Sequence, residues 1–236
     1  MLTAILVVLA LTACGCDDDG EWDGNQGPET SNVEGWVEPA GAHFSVEGAT
    51  VYLLPGYDWY EPHFEALDST AADASGHFRF DGDWSGFFHV YAGLRGGGGP
   101  SGFACVSPFS SEFTAGDKRD LRLILPLHPV TTGSSANGVT VRYATGLPTP
   151  DARVRLWRME GRALVAVDSC LAAGDGSYHF ENMCSGNYVV SAQVDSVGPP
   201  AFRFSDWSRA CFVGGPTDVT IDTLRLFDYS VDKPAV

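Results

Sequence analysis

The chain carries one series of motifs twice, in the same order. Gly35-Trp36-Val37 is answered by Gly138-Val139-Thr140. Val46-Glu47-Gly48-Ala49-Thr50-Val51-Tyr52-Leu53 is answered by Thr149-Pro150-Asp151-Ala152-Arg153-Val154-Arg155-Leu156, 103 positions on. Gly76-His77-Phe78-Arg79-Phe80 pairs with Gly176-Ser177-Tyr178-His179-Phe180, and Gly86 to Ala92 with Gly186 to Ala192, both at an offset of 100. Cys105 and Cys211 follow, and then Leu121-Arg122-Leu123 matches Leu224-Arg225-Leu226 at 103 again. A duplication of this kind admits two copies of one unit, each of about 100 residues and able to bury a modest core.

The unit reads as β structure. Ala49, Val51 and Leu53 alternate with Thr50 and Tyr52, a period of two with one buried face. Phe78 and Phe80 point inward, with His77 and Arg79 outward. Asp73-Ala74-Ser75-Gly76 and Gly174-Asp175-Gly176 are tight-turn sequences. The 28 Gly and 14 Pro, and the scarcity of Lys, agree with short strands and frequent turns. No apolar run of helical period exceeds two turns after residue 14. The expectation is an all-β protein with two tandem Ig-like Greek-key β-sandwiches, of about seven strands each. The first spans residues 33–128 and the second 135–229, with a linker at 129–134 and a tail at 230–236.

The strand Gly48-Ala49-Thr50-Val51-Tyr52-Leu53, the turn from Asp73 to Phe80 and the strand from Gly86 to Ala92, with their second copies, resemble the carboxypeptidase regulatory-like domain. That family is similar in turn to transthyretin and to Cna-B repeats. The resemblance implies a sandwich used for adhesion, assembly, sugar binding or spacing, and no particular one of these. Cna-B domains often carry an isopeptide bond from a first-strand Lys. Neither first strand here has one, so that cross-link is not expected.

Residues 1–13, MLTAILVVLALTA, are almost wholly apolar, too short to span a bilayer, and read as a signal peptide. Leu11-Thr12-Ala13-Cys14 resembles the lipobox of bacterial lipoproteins. The resemblance implies that Cys14 is acylated, palmitate being one such chain, and becomes the mature N-terminus. Acyl chains anchor at about 0.8 kcal/mol per buried CH₂. Residues 14–32 are acidic and Gly-rich and read as a disordered tether. The expected location is therefore a bacterial cell envelope, lipid-anchored to a membrane, with the outer membrane or cell surface favoured.

Charge narrows the partners. The net charge is −16, and residues 1–78 hold 14 acidic side chains and no Lys or Arg. Nucleic acid is not expected, because phosphate binding needs clustered Lys and Arg. Catalysis is not expected either. There is no GxSxG, HExxH, CxxC, P-loop or GxGxxG, and Gly96 to Gly99 lacks the Lys and helix of a phosphate loop. No cofactor and no small-molecule substrate is implied. His77 and His89, with Asp81 and Asp83 nearby, give too few ligands for zinc. Asp19 to Gly24 begins like a calcium loop but has Thr30 at its twelfth position, so no metal is assigned.

Three features remain. Tyr57, Trp59, Tyr60 and Phe64 form an aromatic cluster after the strand Thr50–Pro55, which the second copy lacks. It is a candidate binding surface, since flat aromatics stack on sugar rings, and equally a plug for the end of the core. Export favours disulfides; Cys170 and Cys184 are the preferred pair, and Cys184–Cys211 is the rival. The linker offers no large hydrophobe beyond Val130, so the repeats are expected to meet through a small polar contact. Together these readings describe a non-catalytic envelope lipoprotein that binds, scaffolds or adheres, with envelope proteins or glycans as partners. The alternative is a carbohydrate-binding accessory of envelope or secreted enzymes.

Overall fold

The computed structural model describes residues 33–41, 44–56, 65–82, 84, 86–96, 102–115, 123–195, 202–205 and 208–228. The first repeat contains β1 (Val33–Pro39), β2 (Thr50–Pro55), β3 (Asp68–Ala71), β4 (His77–Phe80), β5 (Gly86–Arg95), β6 (Phe103–Val106), β7 (Phe113–Ala115) and β8 (Leu123–Pro129). The second contains β9 (Thr132–Arg142), β10 (Arg153–Glu160), β11 (Ala163–Leu171), β12 (Ser177–Cys184), β13 (Gly186–Asp195), β14 (Phe202–Ser205), β15 (Cys211–Val213), β16 (Asp218–Thr220) and β17 (Leu224–Asp228). Among the described residues every regular element is a strand.

The duplication extends to topology and register. The order β3-β2-β5-β6-β8-β1-β4 is answered by β11-β10-β13-β14-β17-β9-β12. Tyr52 stands opposite Tyr91 on β2 and β5, as Arg155 stands opposite Ser191 on β10 and β13. In each repeat the first strand has an antiparallel neighbour on one side and the last strand, parallel, on the other. In the first repeat β8 changes layer. Leu123 to Leu127 pair with β1, whereas His128 and Pro129 pair with β6.

Each repeat is a two-layered Ig-like sandwich with its own core. Val37, Phe78, Phe80, Leu125 and Leu127 of one layer pack against Val51, Leu53, Val90 and Ala92 of the other. Ala136, Tyr178 and Phe180 meet Val154, Leu156, Tyr188 and Val190 in the second repeat. Burying one such large side chain stabilises by about 1.5–3 kcal/mol. The matched glycines have steric causes. A Cβ on Gly76 (φ 81°) would lie 2.2 Å from the Val37 carbonyl oxygen, and one on Gly176 (φ 78°) 2.4 Å from that of Thr140. Neither turn therefore admits a side chain.

Three expectations need correction. The described strands number eight and nine rather than seven, because β7, β15 and β16 add short segments. Tyr52 is not solvent-facing: β2 is buried on both faces, with Val51 and Leu53 in the sandwich core and Tyr52 and Leu54 in a third apolar cluster. The segment 129–134 is mostly strand, since Pro129 closes β8 and Thr132 opens β9. A period-two pattern identifies alternate faces but cannot say whether the second face meets water or another sandwich.

Candidate functional site

Two features stand out: the junction between the repeats, and a polar cleft on the second. The junction is apolar at its centre. Tyr52, Leu54, Tyr91, Phe103 and Val106, on the outer face of the first repeat, pack with Met159, Leu164 and Phe212 of the second. The Tyr52 and Tyr91 rings stack with centroids 4.9 Å apart. The β10–β11 hairpin delivers Met159 and Leu164, turning at Gly161 (φ 64°), which docks on Tyr52.

Hydrogen bonds lock this contact. The Tyr91 hydroxyl donates to the Gly161 carbonyl, and burial raises the Tyr91 pKa well above its ordinary value. Ala66 N donates to the Arg162 carbonyl at 2.8 Å, and Arg162 Nη2 returns a bond to the Ala66 carbonyl at 3.0 Å. Asn187, 2% exposed, donates to the Ser107 carbonyl at 2.9 Å and accepts from Phe109 N at 3.2 Å. The expected small polar contact is thus a desolvated core with satisfied polar groups. Composition of the connecting segment was a poor guide, because Val130 is its one apolar contribution and most of the contact is made by strand faces and a hairpin outside it.

Behind the hairpin, Arg158 is buried. Its Nη1 donates to Cys184 Sγ at 2.8 Å, its Nε donates to Glu160 Oε1 at 3.0 Å, and Tyr188 Oη donates to the Cys184 carbonyl at 2.7 Å. The neighbouring Ser185 exchanges backbone and hydroxyl bonds with Thr131 between β8 and β9. One polar cluster therefore ties the turn end of the hairpin to the chain crossing between repeats.

The cleft is an open depression of about 430 Å³ on the outer face of β9, β12 and β16. Ser134 and Ala136 face the core, so Ser135 and Asn137 face outward by strand alternation. Asn137 stands opposite His179 on one side and Thr220 on the other, and Ser135 stands opposite Asp218. The Ser135 hydroxyl donates to the Asp218 carboxylate, and His179 Nε2 lies 3.4 Å from Glu181 Oε1. The wall has a sequence cause. Phe180 and Met183 both reach the core although three positions apart, so Glu181 and Asn182 are pushed out as a bulge. Asn182 takes φ 56°, which Asn tolerates better than most residues. The broken alternation between Phe180 and Met183 was the one signal in the sequence that could have pointed here.

The residues singled out from sequence fare unevenly. Cys14, Tyr57, Trp59, Tyr60 and Phe64 lie outside the described residues, as does Asp83. Cys105, Cys170, Cys184 and Cys211 are free thiols. The structure shows no Cys170–Cys184 bridge: β11 and β12 lie in different layers, and Cys170 meets the backbone of His179 rather than Cys184. His77 and His89 are not neighbours, because β4 and β5 belong to different layers. His77 ring-packs on Trp36, whereas His89 is buried and its Nδ1 lies 3.0 Å from the Ser110 carbonyl. Among the described residues no three His, Cys, Asp or Glu side chains converge to hold a metal ion.

No family model and no curated protein matches the chain in sequence. Solved structures that align with the chain include a streptococcal ancillary pilin, at 12% identity and TM-score 0.31, covering 82% of this chain. This chain spans 62% of that pilin's length. The shaft pilin of Lactobacillus rhamnosus GG aligns at 10% identity and TM-score 0.29, covering 82% of this chain and 98% of its own. The minor pilin of Streptococcus agalactiae aligns at 13% identity and TM-score 0.32, covering 88% and 99%. The sandwich assignment rests on the strand order and the two-layered cores of this chain.

Proposed function

We propose that this chain is a non-catalytic structural and binding module of a bacterial cell envelope. In this reading it is exported, acylated at Cys14, and held to a membrane while its paired sandwiches present surfaces to envelope proteins or glycans. The observation that carries the proposal is the junction. A spacer must transmit position, and two sandwiches joined through a shared apolar cluster and buried hydrogen bonds form a stiffer unit than two joined by a free linker. Asp73 and Asp175 are used in turns, and Asp81 and Glu181 lie beside Arg79 and His179.

Two measurements test it. Fractionation of cells expressing the wild type should place the chain in membranes, and Cys14→Ser should release it or block its processing. An unchanged membrane fraction for Cys14→Ser would remove the anchor from the proposal. Backbone relaxation by NMR on the Cys14→Ser chain should give both repeats one rotational correlation time. Two independent tumbling times would remove the stiff spacer.

A further inference from the structure

We propose that the cleft of the second repeat is a binding site for a neutral, polyhydroxylated ligand: a sugar unit of an uncharged glycan. The inference deepens the binding half of the function above and is independent of the anchor.

The lining selects the ligand class. It is lined by the side chains of Ser134, Ser135, Asn137, His179, Glu181, Asn182 and Asp218, with no aliphatic, Phe, Tyr or Trp wall to shelter a hydrophobic guest. Glu181 and Asp218 disfavour phosphate, sulfate or carboxylate groups, on a chain already at −16. A metal ion is a poor fit, because the cleft's carboxylates and imidazole do not converge on one point. A volume of about 430 Å³ is also far larger than an ion needs. An organic cation would use acceptors alone. Asn137 and Asn182 bring amide donors as well as acceptors, and a sugar hydroxyl is the common group that both donates and accepts. The two carboxylates are pre-oriented, Asp218 by the Ser135 hydroxyl and Glu181 by His179, which lowers the ordering cost of binding.

The duplicated plan supplies an internal comparison. Residues answering Asn137, His179, Glu181 and Asn182 in the first repeat are Glu34, Arg79, Asp81 and Gly82. There Arg79 Nε closes on Asp81 Oδ1 at 2.6 Å, so the charges satisfy each other. The amides Asn137 and Asn182 thus stand where the first repeat has Glu34 and Gly82, and both fall on one face of one repeat.

The test is a neutral-oligosaccharide array probed with the full Cys14→Ser chain, followed by titration calorimetry with the best array member. Binding should survive a metal chelator and fall at least tenfold in Asp218→Asn and in Asn137→Ala. Both substitutions sit on a solvent-facing surface, and unchanged thermal transitions would show that the fold is kept. Trp59→Ala should bind like the parent. The proposal is overturned if no neutral sugar binds, if chelation abolishes binding, or if the cleft variants bind normally. Release of the wild type from membranes in the anchor experiment would leave this result untouched, so the two readings fail separately.

Discussion

Truncating Met159 separates a true junction core from an incidental contact. Met159 is 2% exposed at the tip of the docking hairpin and packs among Tyr52, Tyr91 and Phe212. Met159→Ala removes that packing and leaves a void, at a cost of about 2–5 kcal/mol; a central value is about 3. Met159→Leu, nearly volume-conserving, should cost less than about 1.5 kcal/mol. For a chain this long, about 2–4 °C of melting temperature is lost per kcal/mol, so the Ala variant should melt about 6–12 °C lower if the repeats unfold together. The assay is calorimetry of the Cys14→Ser chain with and without Met159→Ala. One cooperative transition in the parent, lowered or split in two by the Ala substitution, is the expected result. A Met159→Ala transition within about 0.5 kcal/mol of the parent would refute a junction core, because a fully buried contact cannot be deleted at so little cost.

Other consequences follow from particular groups. Gly176→Ala should destabilise by about 2 kcal/mol or more through strain at positive φ and contact with Thr140, whereas Gly174→Ala, with open space around it, should shift stability by less than about 0.5 kcal/mol. Burial pushes the Cys211 thiol up to about 11, so its alkylation rate should keep climbing above pH 9.0, where an ordinary thiol has begun to level off; a plateau there would contradict its burial. Hydrogen bonds from Ser75 and Ser177 hold the Asp73 and Asp175 carboxyls below the ordinary 3.8. Their stabilisation is therefore present above that value and lost as pH falls through the depressed one, and Asp73→Asn with Asp175→Asn should flatten this acid limb in denaturant titrations. Peptide mapping without reductant should recover Cys170 and Cys184 as free thiols; a cross-linked peptide would contradict the placement of β11 and β12 in different layers.

The periodic part of this fold was legible and the relational part was not. Phe78 and Phe80, inward by alternation, are in the core, and the Asp73–Gly76 turn and its copy lie where the sequence placed them. These depend on local geometry, which side-chain periodicity and turn chemistry report directly. The fate of Tyr52 and Leu54 depends on a hairpin about a hundred residues away, and no local pattern encodes that. The cleft is intermediate. Its bulge is visible as a broken alternation before Met183, but its second wall comes from Asp218, brought alongside Ser135 by a parallel pairing that joins distant segments. The Arg158–Cys184 contact stayed hidden for a related reason: export directs attention to cysteine pairing, whereas the structure gives that thiol a guanidinium.

The same comparison explains why the stacking joins two repeats and need not continue. The surface that receives the hairpin in the first repeat has Thr50, Tyr52 and Leu54 on β2 and Tyr91 on β5. In identical register the second repeat has Arg153, Arg155 and Trp157 on β10 and Ser191 on β13. Trp157 Nε1 donates to Ser191 Oγ at 2.9 Å, so even the aromatic group there is turned to polar use. A hairpin carrying Met and Leu side chains, laid on this face, would have to desolvate two guanidinium groups, while its own Glu160 carboxylate is already held by Arg158. Burying an unpaired charge costs several kcal/mol, more than one apolar contact of that size returns. Duplication supplied two equivalent sheets. Substitution at four register positions made one a socket and left the other closed to the same plug, while the second repeat's remaining outer face became free to diverge into the cleft.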